Sequence, residues 1–213
     1  ENYRQSIAYN DTVYQVHYSF ADLLMKMEKP VEARREFSLA LALNPDHYNS
    51  ATMLAKLYYD AAEYDSALTV YNTMFRLKPD DTALLGSIAA LREYLGKKED
   101  ALSAYRELIR RGDNAKDTHV KAAKLASSLE QWDTADSLIT IALADKNPDA
   151  DILNLASSIS LGKNDGATAI ERLKKLTTIA PSDETAIAAL EKTARAEHDT
   201  AGLMWALEHR IQL

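Results

Sequence analysis

Hydrophobic and polar positions follow a helical period along this chain, and the whole pattern recurs every 34 residues. Alanine occupies five positions at this spacing, with a large apolar residue four positions after each and a small residue twelve positions before each. Small side chains at fixed intervals let two helices approach closely, and a period of 34 is typical of stacked helical hairpins. The pattern predicts an all-α protein, an α-solenoid of about five helical hairpins. The five alanines are Ala33, Ala67, Ala101, Ala135 and Ala169.

The repeat also predicts where the units begin. In the second unit, four apolar residues between positions 51 and 58 have the i, i+3, i+4, i+7 spacing of one helix face. Five tandem units are predicted in residues 14–183, with starts at positions 14, 48, 82, 116 and 150. Residues 184–213 form a sixth, divergent hairpin. Residues 1–13 are predicted to hold the second helix of a truncated repeat, at positions 3–9. We therefore expect the chain to begin inside a longer solenoid or to follow a removed segment.

Proline and short polar residues mark the boundaries between hairpins. Proline cannot donate the backbone hydrogen bond that would continue a helix. It follows the second helix of three units, at Pro45, Pro79 and Pro181. The next residue can accept a hydrogen bond from a helix N-terminus. The predicted N-caps are Asp46, Asp80 and Ser182.

Composition excludes several classes of function. The formal net charge is -7, which disfavours non-specific nucleic-acid binding through phosphate neutralisation. No apolar run approaches the roughly 18 residues of a membrane span. The chain has no Cys, so disulfides and thiol catalysis are excluded. No nucleotide-binding loop, metal-binding His pair or hydrolase elbow occurs, so we expect no cofactor, no metal and no enzyme activity. The composition fits the cytoplasm, the periplasm or the bacterial envelope equally.

These features resemble the tetratricopeptide repeat family. The run AxxLAxxY at residues 51–58, followed by Ala67, Tyr71 and Pro79, is similar to the family pattern. The family's usual Gly is replaced by Ala or Ser here, and its Trp position holds other residues. The resemblance implies a right-handed superhelix in which the first helix of each hairpin lines a concave groove. It also implies a non-enzymatic scaffold for protein–protein interactions.

The resemblance also implies which residues face the groove. The groove would carry Tyr, Met and small polar side chains, which suit a peptide or partner helix with apolar anchors. The carboxylate clamp that grips chaperone tails in one subgroup is absent, because its positions hold Tyr18, Asp22, Met53, Ala83 and Ser87. Tyr58 and Tyr71 are expected in the core, and Tyr64 falls on the same apolar helix face as Tyr71. The predicted ligand-binding residues are Tyr18, Asp22, Met25, Asn49, Thr52, Lys56, Tyr59, Tyr94, Lys124 and Asn154.

The divergent C-terminal hairpin leaves an alternative open. Leu203 replaces the repeated alanine, and Met204, Trp205, Leu207 and Ile211 follow. A solenoid end needs a cap, or its last apolar face stays open. We expect this hairpin to close the stack, and a homodimer through it is the alternative. The second function hypothesis is therefore a structural or assembly module, which oligomerises through its ends or supports a missing N-terminal domain.

Overall fold

The computed structural model describes residues 13–144 and 149–211, and every regular element within them is an α-helix. The chain forms two compact units, which meet in sequence at Lys97 and Lys98. The first unit contains α1 (Tyr14–Lys26), α2 (Pro30–Leu43), α3 (Tyr48–Asp60), α4 (Tyr64–Leu77) and α5 (Thr82–Tyr94). The second contains α6 (Lys98–Arg110), α7 (Lys116–Ser128), α8 (Trp132–Leu143), α9 (Ala150–Gly162), α10 (Gly166–Ile179), α11 (Glu184–Ala196) and α12 (Thr200–Ile211).

The helices repeat with the period of the sequence. Every second helix, from α1 to α11, begins 34 residues after the last, at positions 14, 48, 82, 116, 150 and 184. The predicted all-α helical repeat fold is confirmed. The helix predicted at residues 3–9 lies outside the described residues.

The turn between the two helices of each hairpin places one residue in a left-handed backbone conformation. In the first turn, the N–H of Glu28 donates to the carbonyl of Met25, and the N–H of Lys29 donates to the carbonyl of Leu24, both at 3.0 Å. This pair of bonds closes the end of a helix in the Schellman motif. The motif recurs at the turn inside each later hairpin. The left-handed residues of these turns, with their φ angles, are Glu28 (58°), Ala62 (56°), Gly96 (71°), Glu130 (56°), Asn164 (59°) and His198 (56°). Gly112, between α6 and α7, is also left-handed, with a φ of 97°.

The repeated alanines are fully buried between the packed helices. Ala33 and Ala67 in the first unit, and Ala135 and Ala169 in the second, have no exposed surface. In the first unit they pack in one apolar core with larger side chains such as Phe37. A methyl group fits at these positions because a longer side chain would separate the packed helices.

The predicted N-caps are wrong by one residue. Asp81, not Asp80, precedes α5, and its Oδ1 accepts a hydrogen bond from the backbone N–H of Leu84 at 2.9 Å. An N-cap oxygen must reach an N–H two or three residues ahead, and the turn after each proline is one residue longer than predicted. The other two caps are His47 instead of Asp46, without a side-chain bond, and Asp183 instead of Ser182.

A charged network joins three helices of the second unit. Asp136 on α8 accepts hydrogen bonds from Arg172 on α10 at 2.9 Å and from Lys163, after α9, at 2.8 Å. Arg172 also donates to the carbonyl of Ala156 at 2.8 Å and to the hydroxyl of Ser160 at 2.6 Å. These bonds satisfy a guanidinium whose side chain is only 12% exposed.

The last hairpin packs onto the helix before it. The indole N–H of Trp205 donates to the Thr177 hydroxyl at 3.1 Å, so Trp205 joins α12 to α10. The buried Glu191 forms an ion pair with Arg210 at 2.6 Å. The opposite side of α12 exposes the apolar side chains of Met204, Leu207 and Ile211.

Candidate functional site

Four of the predicted ligand-binding residues lie along one exposed side of α3. Asn49, Thr52, Lys56 and Tyr59 are spaced by three or four residues, so they fall on one face of the helix. All four side chains are exposed. The face ends at Tyr59, in the last turn of α3, next to the left-handed turn at Ala62.

Three tyrosine rings meet at this end of α3, and we call them the tyrosine cluster: Tyr59, Tyr64 and Tyr94. The ring centroids of Tyr59 and Tyr64 are 5.3 Å apart, with an interplanar angle of 70°. Those of Tyr64 and Tyr94 are 4.8 Å apart, with an angle of 72°. Edge-to-face geometry of this kind is favourable for aromatic pairs. Tyr59 is nevertheless 50% exposed and Tyr94 71% exposed, so the cluster presents ring surface to solvent.

The cluster forms one wall of a cavity of about 420 Å³, which we call the tyrosine pocket. Tyr71 on α4 and Ser87, Ala90 and Leu91 on α5 complete the lining. These lining side chains are aromatic, aliphatic or hydroxylic. Ligand-binding cavities typically have mostly apolar walls and a small number of precisely placed polar groups.

The hydroxyls of Tyr64 and Tyr71 are neutral over the physiological pH range, because the pKa of each is raised. Partial burial raises the pKa of Tyr64, and the neighbouring Tyr94 and Tyr59 raise it further, including through a hydrogen bond with Tyr94. Burial also raises the pKa of Tyr71, with additional effects of Tyr59 and Asp60. An ionised phenol beside these groups would be unfavourable, so each hydroxyl keeps the proton that it can donate.

The predicted site residues of α1 lie in other surroundings. The Tyr18 ring packs against Phe37, with centroids 5.7 Å apart, and against His47, at 5.0 Å. Asp22 pairs with Lys26 at 2.7 Å, one turn further along the same helix. Tyr18 is therefore half-buried against the hairpin core, and much of its ring is already in contact.

Met25 lines a second cavity of about 340 Å³, the Met25 cavity, together with Val31, Arg34, Leu57 and Asp60. Met25 and Tyr59 are 34 residues apart and hold the same position in successive 34-residue repeats. The two cavities thus occupy corresponding positions of the repeat on either side of the end of α3, but the Met25 cavity is lined by aliphatic and charged side chains and the tyrosine pocket by aromatic ones.

The remaining two predicted residues belong to the second unit. Lys124 on α7 and Asn154 on α9 are both exposed. Of the ten residues, the structure brings Tyr59 and Tyr94 together in the tyrosine pocket. Sequence reasoning missed Tyr64 and Tyr71, which it placed on an apolar face. The signal for Tyr64 was its spacing of 30 residues from Tyr94, since those positions face each other in stacked hairpins.

In the second unit, a tryptophan occupies the position that corresponds to Tyr64. The Trp132 ring lies directly against Gly162, the counterpart of Tyr94: a methyl group at Gly162 would be 2.5 Å from its ring carbons Cε3 and Cζ3. Any larger residue at Gly162 would displace the indole from its present position.

Within residues 13–144 and 149–211, no helix has the length and apolar character needed to cross a bilayer. In the same residues, no three His, Asp or Glu side chains are grouped as a metal site would require.

The chain is similar to known helical repeat proteins. The sequence model of the tetratricopeptide repeat matches residues 24–91. Tetratricopeptide repeat protein 8 of Caenorhabditis elegans is 22% identical over 114 residues, a match that covers 54% of this chain and 22% of that protein. The chain thus spans about a fifth of the length of this relative.

Two crystal structures share the fold. YrrB, described as a TPR protein with an unusual peptide-binding site, has a TM-score of 0.62 at 18% identity, over 89% of this chain and 97% of YrrB. A tetratricopeptide repeat protein from Parabacteroides merdae ATCC 43184 has a TM-score of 0.57 at 15% identity, over 93% of this chain and 79% of that protein.

Proposed function

Because this chain belongs to the tetratricopeptide repeat family, whose members are generally non-enzymatic scaffolds that bind other proteins, we propose that it binds a partner segment at the tyrosine pocket. The observation that carries this proposal is the exposure of the tyrosine cluster. Tyr59 and Tyr94 are large aromatic residues that remain at least half exposed beside a cavity of about 420 Å³. Exposed aromatic anchors at a concave site are typical of protein-binding surfaces.

The adjacent face of α3 extends this proposed site. Asn49, Thr52 and Lys56 supply amide, hydroxyl and ammonium groups along one line that ends at Tyr59. A bound segment would place an apolar side chain in the pocket and its backbone polar groups beside α3. Such a combination of an apolar anchor and a polar rim gives both affinity and register.

The organisation of the chain into repeats is part of the same proposal. We infer five tandem units from position 14 to position 183, followed by a divergent hairpin from position 184 that caps the stack. Helix starts at 34-residue intervals support this division. The Trp205–Thr177 contact supports the capping role, because it joins the last hairpin to α10, whereas the Glu191–Arg210 ion pair holds the two helices of that hairpin together.

A capture experiment with matched variants tests the binding site. The Tyr59→Ala/Tyr94→Ala double variant removes the exposed rings and leaves the buried core intact. Leu39→Ala is the control, because Leu39 is an exposed apolar residue on α2, in the same unit. The proposal expects a partner captured by the wild type and by Leu39→Ala, and lost with the double variant. Equal capture by all three, with equal helical circular dichroism, would place the binding surface elsewhere.

One observation favours the assembly module as a second candidate. Met204, at 61% exposure, and Ile211, at 84%, share one face of α12 with Leu207. An apolar helix face at the end of a repeat array can pair with a second copy. Sedimentation velocity over a range of concentrations distinguishes the two: a dimer that dissociates in Met204→Glu/Ile211→Glu supports assembly, and a monomer at all concentrations removes it.

A further inference from the structure

The two cavities that flank α3 indicate the chemistry of the bound segment. We propose that its occupant is a proline-containing segment of the partner in the polyproline II conformation, with two prolines three residues apart. This inference rests on the proposed function, since it names the class of segment that the tyrosine pocket accepts. Three features of the described residues carry it: the uncharged lining of the tyrosine pocket, its aromatic walls, and the presence of a second cavity at the corresponding position of the repeat.

The lining of the tyrosine pocket favours an uncharged anchor. Its side chains are four tyrosines with Ser87, Ala90 and Leu91, none of which carries a charge at neutral pH. A carboxylate anchor would lose its hydration there without gaining a counter-charge from the lining, which is costly, and a lysine or arginine anchor would gain only the attraction of the tyrosine ring faces. An apolar ring such as that of proline loses little on the same transfer.

The walls of the pocket match the shape of such an anchor. The rings of Tyr59 and Tyr64 and those of Tyr64 and Tyr94 stand nearly perpendicular, at 70° and 72°. They create flat faces at an angle, against which a pyrrolidine ring can pack. Polyproline II segments bind aromatic-lined grooves in this way, and their preformed conformation limits the entropy lost on binding.

The polar groups of the pocket also suit such a segment. A proline has no backbone N–H, and the polyproline II helix has no internal hydrogen bonds, so its carbonyls need external donors. The Ser87 hydroxyl already donates to the Ala83 carbonyl at 3.1 Å. Tyr64 and Tyr94 share a hydrogen bond, so one of their hydroxyls already donates to the other, and the remaining tyrosine hydroxyls are the donors that the lining offers.

The Met25 cavity provides a second position at the corresponding place of the preceding repeat, with an aliphatic lining that includes Met25 and Val31 and with the charged side chains of Arg34 and Asp60 beside it. The two cavities lie on opposite sides of the last turn of α3. Tyr59 lines the tyrosine pocket, and the next residue, Asp60, lines the Met25 cavity. A helix with its side chains is about 10 Å wide. A polyproline II helix advances about 9 Å in three residues and returns to the same face. Prolines at positions i and i+3 of one segment can therefore enter both cavities.

Peptide binding measured by fluorescence anisotropy tests the inference. The labelled probes are nonaproline, a Gly-Ser nonapeptide, the same Gly-Ser peptide with two leucines three residues apart, and nona-arginine. The protein is the full chain and its variants Tyr94→Ala, Val31→Asp and Leu39→Ala. Tyr94 and Val31 are both more than 70% exposed, so neither substitution removes a core side chain. Circular dichroism checks that each variant keeps its helices.

The inference expects nonaproline to bind saturably and at least about tenfold more tightly than the Gly-Ser peptide. Tyr94→Ala should weaken that binding about tenfold, Val31→Asp should weaken it severalfold, and Leu39→Ala should leave it unchanged. A dependence on Val31 as well as Tyr94 is the result specific to a segment that spans both cavities.

Other outcomes separate the two proposals. If the leucine peptide or nona-arginine binds in a Tyr94-dependent manner and nonaproline does not, the tyrosine pocket remains a binding site but the polyproline II inference is overturned. If nonaproline binding depends on Tyr94 but not on Val31, the two-cavity arrangement is overturned. If no peptide shows Tyr94-dependent binding, the polyproline II inference is overturned, and the capture experiment with Tyr59→Ala/Tyr94→Ala decides the proposed function of the pocket separately.

Discussion

Replacing Gly by Ala should destabilise the protein at Gly162, which contacts Trp132, and stabilise it at Gly86. Gly162 is the last residue of α9, and a methyl group there would meet three Trp132 ring carbons at 2.5 to 2.7 Å. Gly86 lies inside α5, and a methyl group there would have no neighbouring atom within 4 Å. Gly→Ala therefore causes a steric conflict at one site and none at the other.

The magnitudes follow from packing and backbone entropy. Ordinary carbon–carbon contacts are about 3.5 Å or longer, so the Trp132 ring would have to move by about 1 Å. Overpacking of this kind costs about 1–3 kcal/mol, partly offset by the helix propensity of Ala. Gly162→Ala should lower the free energy of unfolding by about 1–2 kcal/mol. Gly86→Ala should raise it by about 0.5–1 kcal/mol, because Ala loses less backbone entropy in a helix interior.

Urea denaturation is the assay, followed by circular dichroism and by tryptophan fluorescence. Both tryptophans of the chain, Trp132 and Trp205, lie in the second unit, so the fluorescence transition reports on the unit that contains Gly162. Circular dichroism reports on both units and is used for Gly86→Ala. A double-mutant cycle with Trp132→Ala isolates the contact, because the penalty at Gly162 should vanish once the ring is removed. A penalty that persists in the Trp132→Ala background, or a stabilising effect of Gly162→Ala, would refute the reasoning.

Three further predictions follow from the turns, the charged network and the core. Ala62→Gly should stabilise the first unit by about 1 kcal/mol in a thermal melt, because Ala62 has a left-handed φ of 56° that Gly adopts without strain; an unchanged or lower melting temperature would contradict this. Burial alone would raise the pKa of Asp136, but hydrogen bonds from Lys163 and Arg172 lower it. The stabilising contribution of this carboxylate is therefore present above the unfolded pKa of about 3.9 and is lost as pH falls through the folded pKa. Melts between pH 6 and 3 should show a weaker acid dependence in Asp136→Asn than in the wild type, and parallel curves would reject the role of this carboxylate. Ala67→Leu should cost about 1–3 kcal/mol through overpacking at a fully buried contact, and an unchanged urea midpoint would show that the position tolerates a larger side chain.

The fold was largely predictable because its main determinants are local. Helical periodicity over a dozen residues and a small residue every 34 identify the units without knowledge of distant contacts. The N-caps were predicted one residue early because capping depends on which N–H a side chain reaches, as at Asp81 and Leu84. That geometry is set by the length of the turn after each proline.

The candidate site was only partly predictable. Position within the repeat indicated Tyr59 and Tyr94, and both line the tyrosine pocket. Tyr18 is equally well placed in the sequence pattern, but it packs against Phe37 and His47. Tyr64 and Tyr71 belong by pattern to an apolar helix face, yet they line the pocket. The pattern gives the face on which a side chain lies, but neighbouring helices determine how much of that face they cover.

The sequence alone determined the helices, their period, the small residues at the helix crossings and the absence of cysteine chemistry, because each depends on residue type and on spacing along one chain. The tertiary structure decided which tyrosines meet, where the cavities remain, and which turn residues adopt a left-handed conformation. Ala62 shows the physical reason. An alanine has no local preference for φ of 56°. The packing of two helices in a hairpin imposes it, and the same turn brings Tyr59 against Tyr64.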